Sequence, residues 1–193
     1  MKKSIFKAVI FDMDGTLTVP TIDFEKMRKE IGCEHEDIID GINSLEPEER
    51  ERAWRIVEQH EREAMKKLRL NEGVCELLKK LEMGNIRKGV LTRNSKASYD
   101  EFVKVTNFTF DIALDRSFPF LKPHPAAVIH MLTQWGISPS DSLVVGDYIH
   151  DIQCGLAAGA FTCLVLNERN QSYSKLANFA VSNFFELENI IFA

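Results

Sequence analysis

The stretch that decides the fold is Lys7-Ala-Val-Ile-Phe-Asp-Met-Asp-Gly-Thr-Leu-Thr18. Its apolar run, from Ala8 to Phe11, shows no polar alternation, which is typical of a parallel strand covered on both faces. The run leads into Asp12 and Asp14, and parallel sheets bind ligands beyond the carboxyl ends of their strands. Because alternate strand residues point to the same side, Asp12 is a candidate nucleophile and Asp14 a candidate proton carrier of one site. The alternative for each carboxylate is a turn or a helix cap at a strand end.

The composition describes a globular chain with one core domain and room for a small second module. The chain has 193 residues, of which 45% are hydrophobic and 27% charged. A net charge of -5 and the lack of a basic cluster argue against nucleic acid as a partner. No apolar run is long enough for a membrane span. The cysteines lack CxxC or zinc-ligand spacing, which indicates reduced thiols and a cytoplasmic location; they are Cys33, Cys75, Cys154 and Cys163.

A helical pattern without strand-like runs extends from Pro20 to about residue 83. The sequence predicts helices at residues 22–31, 37–45 and 47–70. Residues 20–71 are therefore expected to form a small all-helical module. Arg55, Arg62 and Arg69 recur every seven residues in the last of these helices. They are candidate contacts for an anionic substrate, but the glutamates four residues before Arg55 and Arg62 favour a solvated, locally paired stripe.

Helical patterns then alternate with short apolar runs from Glu72 onward. The runs lie at residues 89–92, 110–114, 143–146 and 162–166, and a further one at 179–182 suits an edge strand. Alternation of this kind predicts an α/β fold with a doubly wound parallel sheet.

Three further motifs follow these predicted elements. Val90-Leu-Thr-Arg-Asn94 is a strand that ends in a hydroxyl and in turn residues whose amides can face an anion. Lys122-Pro123 places a cation beside a rigid turn ahead of a helix. Leu143-Val-Val-Gly-Asp147 repeats the design of an apolar strand that ends in an aspartate, and Asp151 follows at the start of a helix. For Asp151 the alternative is an acid that only complements the helix dipole.

In this order the four motifs resemble the haloacid dehalogenase superfamily of phosphohydrolases, in particular its phosphoglycolate phosphatase-like and β-phosphoglucomutase-like members. The resemblance implies a Rossmann-like core at residues 1–19 and 72–193 and a helical C1 cap at residues 20–71. It further implies that Asp12 is the nucleophile and Asp14 the general acid/base. The implied phosphate-binding residues are Thr92, Arg93, Asn94 and Lys122. Thr92 and Lys122 are also implied catalytic residues, with Lys122 as the cation that steadies Asp12 and the phosphoryl group. The implied metal ligands are Asp12, Asp14 through its backbone carbonyl, Asp147 and Asp151.

The charges of this set require a metal ion. Asp12, Asp147, Asp151 and a phosphate dianion bring about five negative charges together, and like charges at 4 Å repel by roughly 4 kcal/mol at an effective dielectric near 20. Lys122 alone does not balance them. Ligands that are all oxygen favour Mg²⁺ over zinc.

The expected function is a Mg²⁺-dependent phosphatase that hydrolyses a small phosphorylated metabolite through an aspartyl-phosphate intermediate. Two alternatives stay open. One is a phosphosugar mutase of the same fold, in which the phosphoryl group passes to substrate instead of water. The other is a non-catalytic, phospho-accepting signalling module, which the motif order disfavours because receiver domains carry the accepting aspartate on their third strand.

Overall fold

The computed structural model describes residues 4–193 and contains one six-stranded, fully parallel sheet. The strands are β1 (Ala8–Phe11), β2 (Arg87–Leu91), β3 (Ile112–Leu114), β4 (Ser142–Gly146), β5 (Phe161–Val165) and β6 (Phe179–Val181). Their order in the sheet is β3-β2-β1-β4-β5-β6. The chain moves outward from β1 to one edge and then returns to build the other edge. The doubly wound parallel sheet predicted from the sequence is confirmed.

The register brings the carboxyl ends of the central strands together. Phe11, the last residue of β1, pairs with Val90 of β2 on one side and with Val145 of β4 on the other. Beyond this level, the Asp12 amide donates to the carbonyl of Val145 at 2.8 Å. The residues that follow these three strands therefore meet at one edge of the sheet.

Helices cover both faces of the sheet, as the uninterrupted apolar run of β1 requires. The helices are α1 (Phe24–Ile31), α2 (Ile38–Asn43), α3 (Pro47–Lys66), α4 (Val74–Met83), α5 (Lys96–Thr106), α6 (Ala126–Trp135), α7 (Ile149–Ala157) and α8 (Phe184–Ile191). Val9 and Phe11 point into a core formed with α4, α5 and α8. Ala8 and Ile10 point into a second core formed with α6 and α7. None of the helices within residues 4–193 combines the length and the apolar character that a membrane crossing needs.

The helices α1, α2 and α3 pack around a small apolar cluster of their own. Its buried members are Met27, Ile31, Ile42, Ala53 and Val57. The segment leaves and rejoins the sheet side by side, since Val19 donates to the carbonyl of Arg69 at 2.8 Å and Asn71 to that of Leu17 at 3.0 Å. This pairing explains why α3 ends at Lys66 and not at residue 70, as the sequence predicted.

The two arginines of the predicted stripe that lie on α3 are solvated, as the sequence favoured, whereas Arg69 lies beyond the end of this helix. The side chains of Arg55 and Arg62 are 67% and 64% exposed. They lie 3.8 Å from Glu51 and 3.9 Å from Glu58, one turn earlier in the helix. Exposed pairs of this type contribute little to stability.

Candidate active site

Three aspartates from two distant parts of the sequence converge at the carboxyl end of the sheet. Asp12 follows β1, Asp147 follows β4, and Asp151 lies in the first turn of α7. Each offers a carboxylate oxygen, and these oxygens lie within 4.8 Å of one another. The acidic cluster predicted from two separate motifs is therefore assembled by the strand register.

Lys122 lies between two members of this cluster. Its ammonium donates to Asp12 Oδ1 at 2.5 Å and to Asp151 Oδ1 at 2.6 Å, and its side chain is only 4% exposed. Burial lowers the pKa of Lys122, but the two carboxylates outweigh burial and raise it, so that the lysine stays charged. The other oxygen of Asp151 accepts the backbone N–H of Tyr148 at 3.0 Å. Asp151 thus caps its helix and also anchors the lysine.

Two carboxylates of the cluster, those of Asp12 and Asp147, have pKa values above their ordinary range. Burial raises the pKa of Asp12 to about 7, with Lys122 opposing the rise and Asp151 adding to it. Burial also raises the pKa of Asp147 well above its usual range, and the charges of Asp12 and Asp151 act in the same direction. One lysine therefore does not neutralise the cluster.

Two asparagines that lie outside the predicted motifs hold Asp147 in place. Asn167, after β5, donates to Asp147 Oδ2 at 3.1 Å, and Asn170 donates to the Asp147 carbonyl at 2.8 Å. Gly15 faces the same carboxylate with φ +84°, and a Cβ at this position would collide with it. Because glycine lacks a Cβ, it can adopt this left-handed conformation and leaves room for the Asp147 carboxylate.

Asp14 stands apart from the acidic cluster. Its Oδ2 accepts a hydrogen bond from the Asn94 side chain at 2.5 Å, and its Oδ1 accepts one from the Thr18 hydroxyl at 3.1 Å. Burial raises the pKa of Asp14, and these two hydrogen bonds oppose the rise. The turn that carries Asp14 is fixed by Asn71, whose amide donates to the carbonyl of Thr16 at 2.6 Å. The two aspartates of the first motif therefore have different surroundings.

The loop after β2 contributes the remaining predicted residues. Thr92 is 2% exposed, and its hydroxyl accepts the backbone N–H of Asn94 at 3.1 Å. Arg93 makes a bidentate ion pair with Asp37, at 2.8 and 2.7 Å. Its Nη1 also lies 2.8 Å from His150 Nδ1. Burial and the charge of Arg93 lower the pKa of His150, so that its ring is neutral and accepts this hydrogen bond. The partner Asp37 belongs to the helical segment 20–71, and the sequence analysis did not predict this contact.

The Asp37–Arg93 pair is expected to stabilise the protein in a pH-dependent way. Burial raises the pKa of Asp37, but the hydrogen bonds and charge of Arg93 outweigh burial and bring it down to about 2. Since the unfolded chain binds this proton at higher pH, the stabilisation is present above about pH 4 and is lost as the pH falls toward 2. Asp37→Asn should therefore lower the free energy of unfolding at pH 7 by about 2 kcal/mol.

Asn is a suitable variant for this test because it caps a helix as well as Asp does, and Asp37 caps α2 through Ile39 and Asp40. Urea unfolding at pH 7 and at pH 3 measures the effect. The difference from wild type should shrink at pH 3. An equal difference at both pH values would contradict an effect of charge.

The acidic cluster suits a divalent cation. Its donors are all carboxylate oxygens, which Mg²⁺ and similar hard cations prefer. A dication would offset the burial, and the repulsion from neighbouring aspartates, that raise the pKa values of Asp12 and Asp147. The side chain of Asp14 does not belong to this cluster, so its predicted metal contact is confined to its backbone.

Comparison with known proteins places the chain in a family. The family model described as haloacid dehalogenase-like hydrolase matches residues 17–165. A haloacid dehalogenase-like hydrolase domain-containing protein of Arabidopsis thaliana is 36% identical over 176 residues, which cover 84% of this chain and 72% of that protein. A phosphoglycolate phosphatase of Nitrosospira multiformis is 29% identical over 217 residues, covering 96% of this chain and 95% of that enzyme.

Solved structures show the same fold. A predicted phosphoglycolate phosphatase from Haemophilus somnus superposes with a TM-score of 0.75 at 21% identity, covering 97% of this chain and 98% of that one. A β-phosphoglucomutase from Clostridium difficile superposes with a TM-score of 0.74 at 20% identity, covering 94% and 93%. Identities at this level establish the fold alone. Together with the family match and the relatives, they show that the chain belongs to the haloacid dehalogenase-like hydrolases and is a phosphohydrolase.

Proposed function

We propose that this chain is a Mg²⁺-dependent phosphatase that hydrolyses a small phosphate monoester through an aspartyl-phosphate on Asp12. The observation that carries the proposal is the division of the acidic residues into two environments. Asp12 lies with Lys122 in a cluster suited to a metal ion, whereas Asp14 is held beside it by neutral donors. A nucleophile needs the first environment and an acid/base needs the second. Relatives named phosphoglycolate phosphatase and N-acetylmuramic acid 6-phosphate phosphatase support a phosphate monoester as substrate.

In the first step an oxygen of Asp12 attacks phosphorus, and the bond between phosphorus and the leaving oxygen breaks. Asp14 gives its proton to that oxygen, so an alcohol departs and Asp12 carries the phosphoryl group. The raised pKa of Asp14 suits it to carry this proton. In the second step Asp14 takes a proton from water as the water attacks phosphorus. Free phosphate leaves, and Asp12 returns as a carboxylate.

The metal would be held by Asp12, Asp147 and Asp151, with the backbone carbonyl of Asp14 as a further proposed ligand. When bound, Mg²⁺ supplies positive charge that offsets the negative charge of the phosphoryl group and of the aspartates. Lys122 adds its own charge beside Asp12 and orients the attacking carboxylate through its hydrogen bond to Asp12 Oδ1.

Thr92, Arg93, Asn94 and Lys122 are the proposed phosphate-binding residues. Thr92 directly follows β2, whose carboxyl end lies beside that of β1, and the following turn offers polar groups to an anion. Arg93 Nε is buried and has no hydrogen-bond partner within residues 4–193, which leaves one donor for a ligand. Asn94 already donates to Asp14, so a phosphate oxygen would share this side chain or take its place.

Residues 20–71 are proposed to act as a cap over the strand ends. Their two connections lie next to the turn that carries Asp14. Asp37 and Arg93 join the segment to the loop after Thr92. A cap in this place would exclude water and select the leaving group, which favours compact phosphate monoesters over phosphoproteins.

The proposal is tested by measuring free phosphate released from a panel of phosphate monoesters in the presence of Mg²⁺. The panel should include phosphosugars, small phosphorylated acids, nucleotides and one folded phosphoprotein. We expect turnover of one or more small esters and little release from the phosphoprotein. Isomerised phosphosugar in place of free phosphate would identify a mutase. Equal rates on the phosphoprotein and the small esters would contradict the role of the cap.

Removal of the metal is expected to abolish phosphate release, and added Mg²⁺ should restore it. Asp147→Ala should raise the Mg²⁺ concentration needed for half-maximal activity by about 100-fold or more, since it removes a proposed ligand. Asp151→Ala should raise it less, because this carboxylate is also engaged by Lys122 and the Tyr148 amide. Titration of activity with Mg²⁺ after treatment with chelator measures both. Full activity in excess chelator would contradict the metal requirement.

A further inference from the structure

Three consecutive residues after Thr92 each bind a different acidic side chain. Arg93 pairs with Asp37 of the helical segment 20–71. Asn94 donates to Asp14 Oδ2 at 2.5 Å. Ser95 donates through both its backbone N–H, at 3.2 Å, and its hydroxyl, at 2.6 Å, to Glu61 of α3. The residue that holds the proposed acid/base is therefore flanked on both sides by residues fixed to the cap.

Two acidic residues of segment 20–71, Asp37 and Glu61, bind this loop, and Glu61 is the more deeply buried of the two. It is 2% exposed and lies on the buried face of α3, whose other buried members are Ala53, Val57, Ala64 and Met65. A carboxylate on such a face costs free energy unless it is paired and hydrogen-bonded. The apolar packing of α3 does not explain why a glutamate occupies this buried position.

The partners of Glu61 all belong to the core and not to the cap. Besides Ser95, its carboxylate accepts a short hydrogen bond from Arg116, in the loop after β3. The Arg116 guanidinium also lies over the Trp54 ring of α3, 4.7 Å from its centroid, and its side chain is 13% exposed. Glu61 thus joins α3 to two loops at the carboxyl end of the sheet.

The connection from Glu61 to Asp14 is short. Ser95 is the N-cap of α5 and accepts the N–H of Ser98 at 3.2 Å, so the far end of the loop is fixed to a helix. The Asn94 backbone is fixed at its other side by the Thr92 hydroxyl, at 3.1 Å. One planar peptide separates Asn94 from Ser95, which leaves little freedom between the cap contact and the side chain that holds Asp14.

We infer that Glu61 is a positioning residue for catalysis: by holding Ser95, it fixes Asn94 and so places the Asp14 carboxylate for proton transfer. The cap would then do more than cover the site, because its contact with the core would also fix the position of the general acid, Asp14. The inference rests on the proposed function and adds to it a residue of the cap, remote from the acidic cluster, with a defined effect on one proton transfer.

A misplaced general acid has a specific chemical signature. Loss of proton donation slows esters with basic leaving groups more than esters with acidic ones. Phenyl phosphate and p-nitrophenyl phosphate have nearly the same shape but leaving groups of different acidity. The ratio of their kcat/KM values, measured with Mg²⁺, therefore reports the placement of Asp14, whereas a general loss of structure lowers both values equally.

Glu61→Gln is the test variant. We expect kcat/KM to fall about tenfold for phenyl phosphate and less than about threefold for p-nitrophenyl phosphate. Glu58→Gln is the matched control, since Glu58 lies one turn earlier on α3, is 47% exposed and contacts Arg116 at 3.8 Å instead of Ser95. It removes one negative charge near the same arginine and should leave the ratio unchanged. A Glu61→Gln ratio equal to that of wild type would overturn the inference.

A double-mutant cycle tests whether the effect passes through Asn94. Asn94→Ala alone should lower the same ratio, and adding Glu61→Gln should change it by less than about twofold, because the two residues act in series. Ratios that multiply would show independent effects and overturn the inference. If Glu61→Gln does not fold, Ser95→Asp keeps a capping oxygen for Ser98, removes the hydroxyl donor and should lower the ratio in the same way.

Failure of the proposed function has a different outcome. A wild-type protein that releases no phosphate from these two esters or from any small ester of the panel contradicts the phosphatase proposal. An active wild type with an unchanged ratio in the Glu61→Gln variant contradicts the positioning role alone.

Discussion

Asp12→Asn is expected to reduce phosphate release by about 10⁴-fold or more while the protein stays folded. The amide is not a competent nucleophile, so no aspartyl-phosphate forms. Its oxygen still accepts a hydrogen bond from Lys122, which in the wild type donates to Asp12 Oδ1 at 2.5 Å. The assay is phosphate release with Mg²⁺ on the best ester of the panel, together with thermal unfolding followed by circular dichroism.

The same variant makes a prediction for stability without metal. Burial raises the pKa of Asp12 to about 7, well above its value in an unfolded chain. The unfolded chain therefore releases this proton near pH 4 and the folded protein only near pH 7, so the metal-free wild type loses stability across that interval. Asp12→Asn removes this group and should reduce the loss. An Asn variant that no longer unfolds cooperatively would instead identify Asp12 as structural.

The fold and the acidic cluster could be predicted because their signals are local. An apolar run with no alternation indicates a doubly covered strand, and such a run precedes both Asp12 and Asp147. Once parallel strands are predicted, their carboxyl ends meet at one edge, so residues 135 positions apart come together without any long-range information. The strand bounds in the structure differ from the predicted ones by one or two residues at most places, which does not move this edge.

The supporting contacts could not be predicted, because each is made by a single polar residue in a loop or on a helix. Asn71, Asn167 and Asn170 fix the catalytic turn and Asp147, yet an isolated asparagine in a loop is common and has no periodicity. Glu61 lies among many charged residues of α3, and only the tertiary structure shows that this one is buried. Asp37 caps α2, and its ion pair with Arg93 depends on how segment 20–71 packs against the loop after β2.

Lys122→Met is expected to have the largest effect on stability. In the wild type the ammonium is buried between Asp12 and Asp151, at 2.5 and 2.6 Å. Methionine keeps the volume and removes the charge, which leaves two carboxylates crowded in a poorly solvated place. Breaking a buried ion pair on one side costs about 3–5 kcal/mol. Urea unfolding at pH 7.5 without metal measures this loss, and Mg²⁺ should restore part of it by replacing the missing positive charge.

Activity and a matched lysine separate the catalytic part of this effect from the structural part. Lys88 is also largely buried, at 8% exposure against 5% for Lys122, but lies on β2 and forms its ion pair with Glu82 at 3.6 Å. Lys88→Met is expected to lower stability by a smaller amount and to leave kcat unchanged. Lys122→Met should lower kcat by about 10²-fold or more even when Mg²⁺ has restored folding, because the lysine charge stabilises the phosphoryl group most as the transition state forms. An unchanged kcat in the refolded Lys122→Met protein would show that Lys122 has only a structural role in its loop. The metal alone would then offset the negative charge of the transferred phosphoryl group.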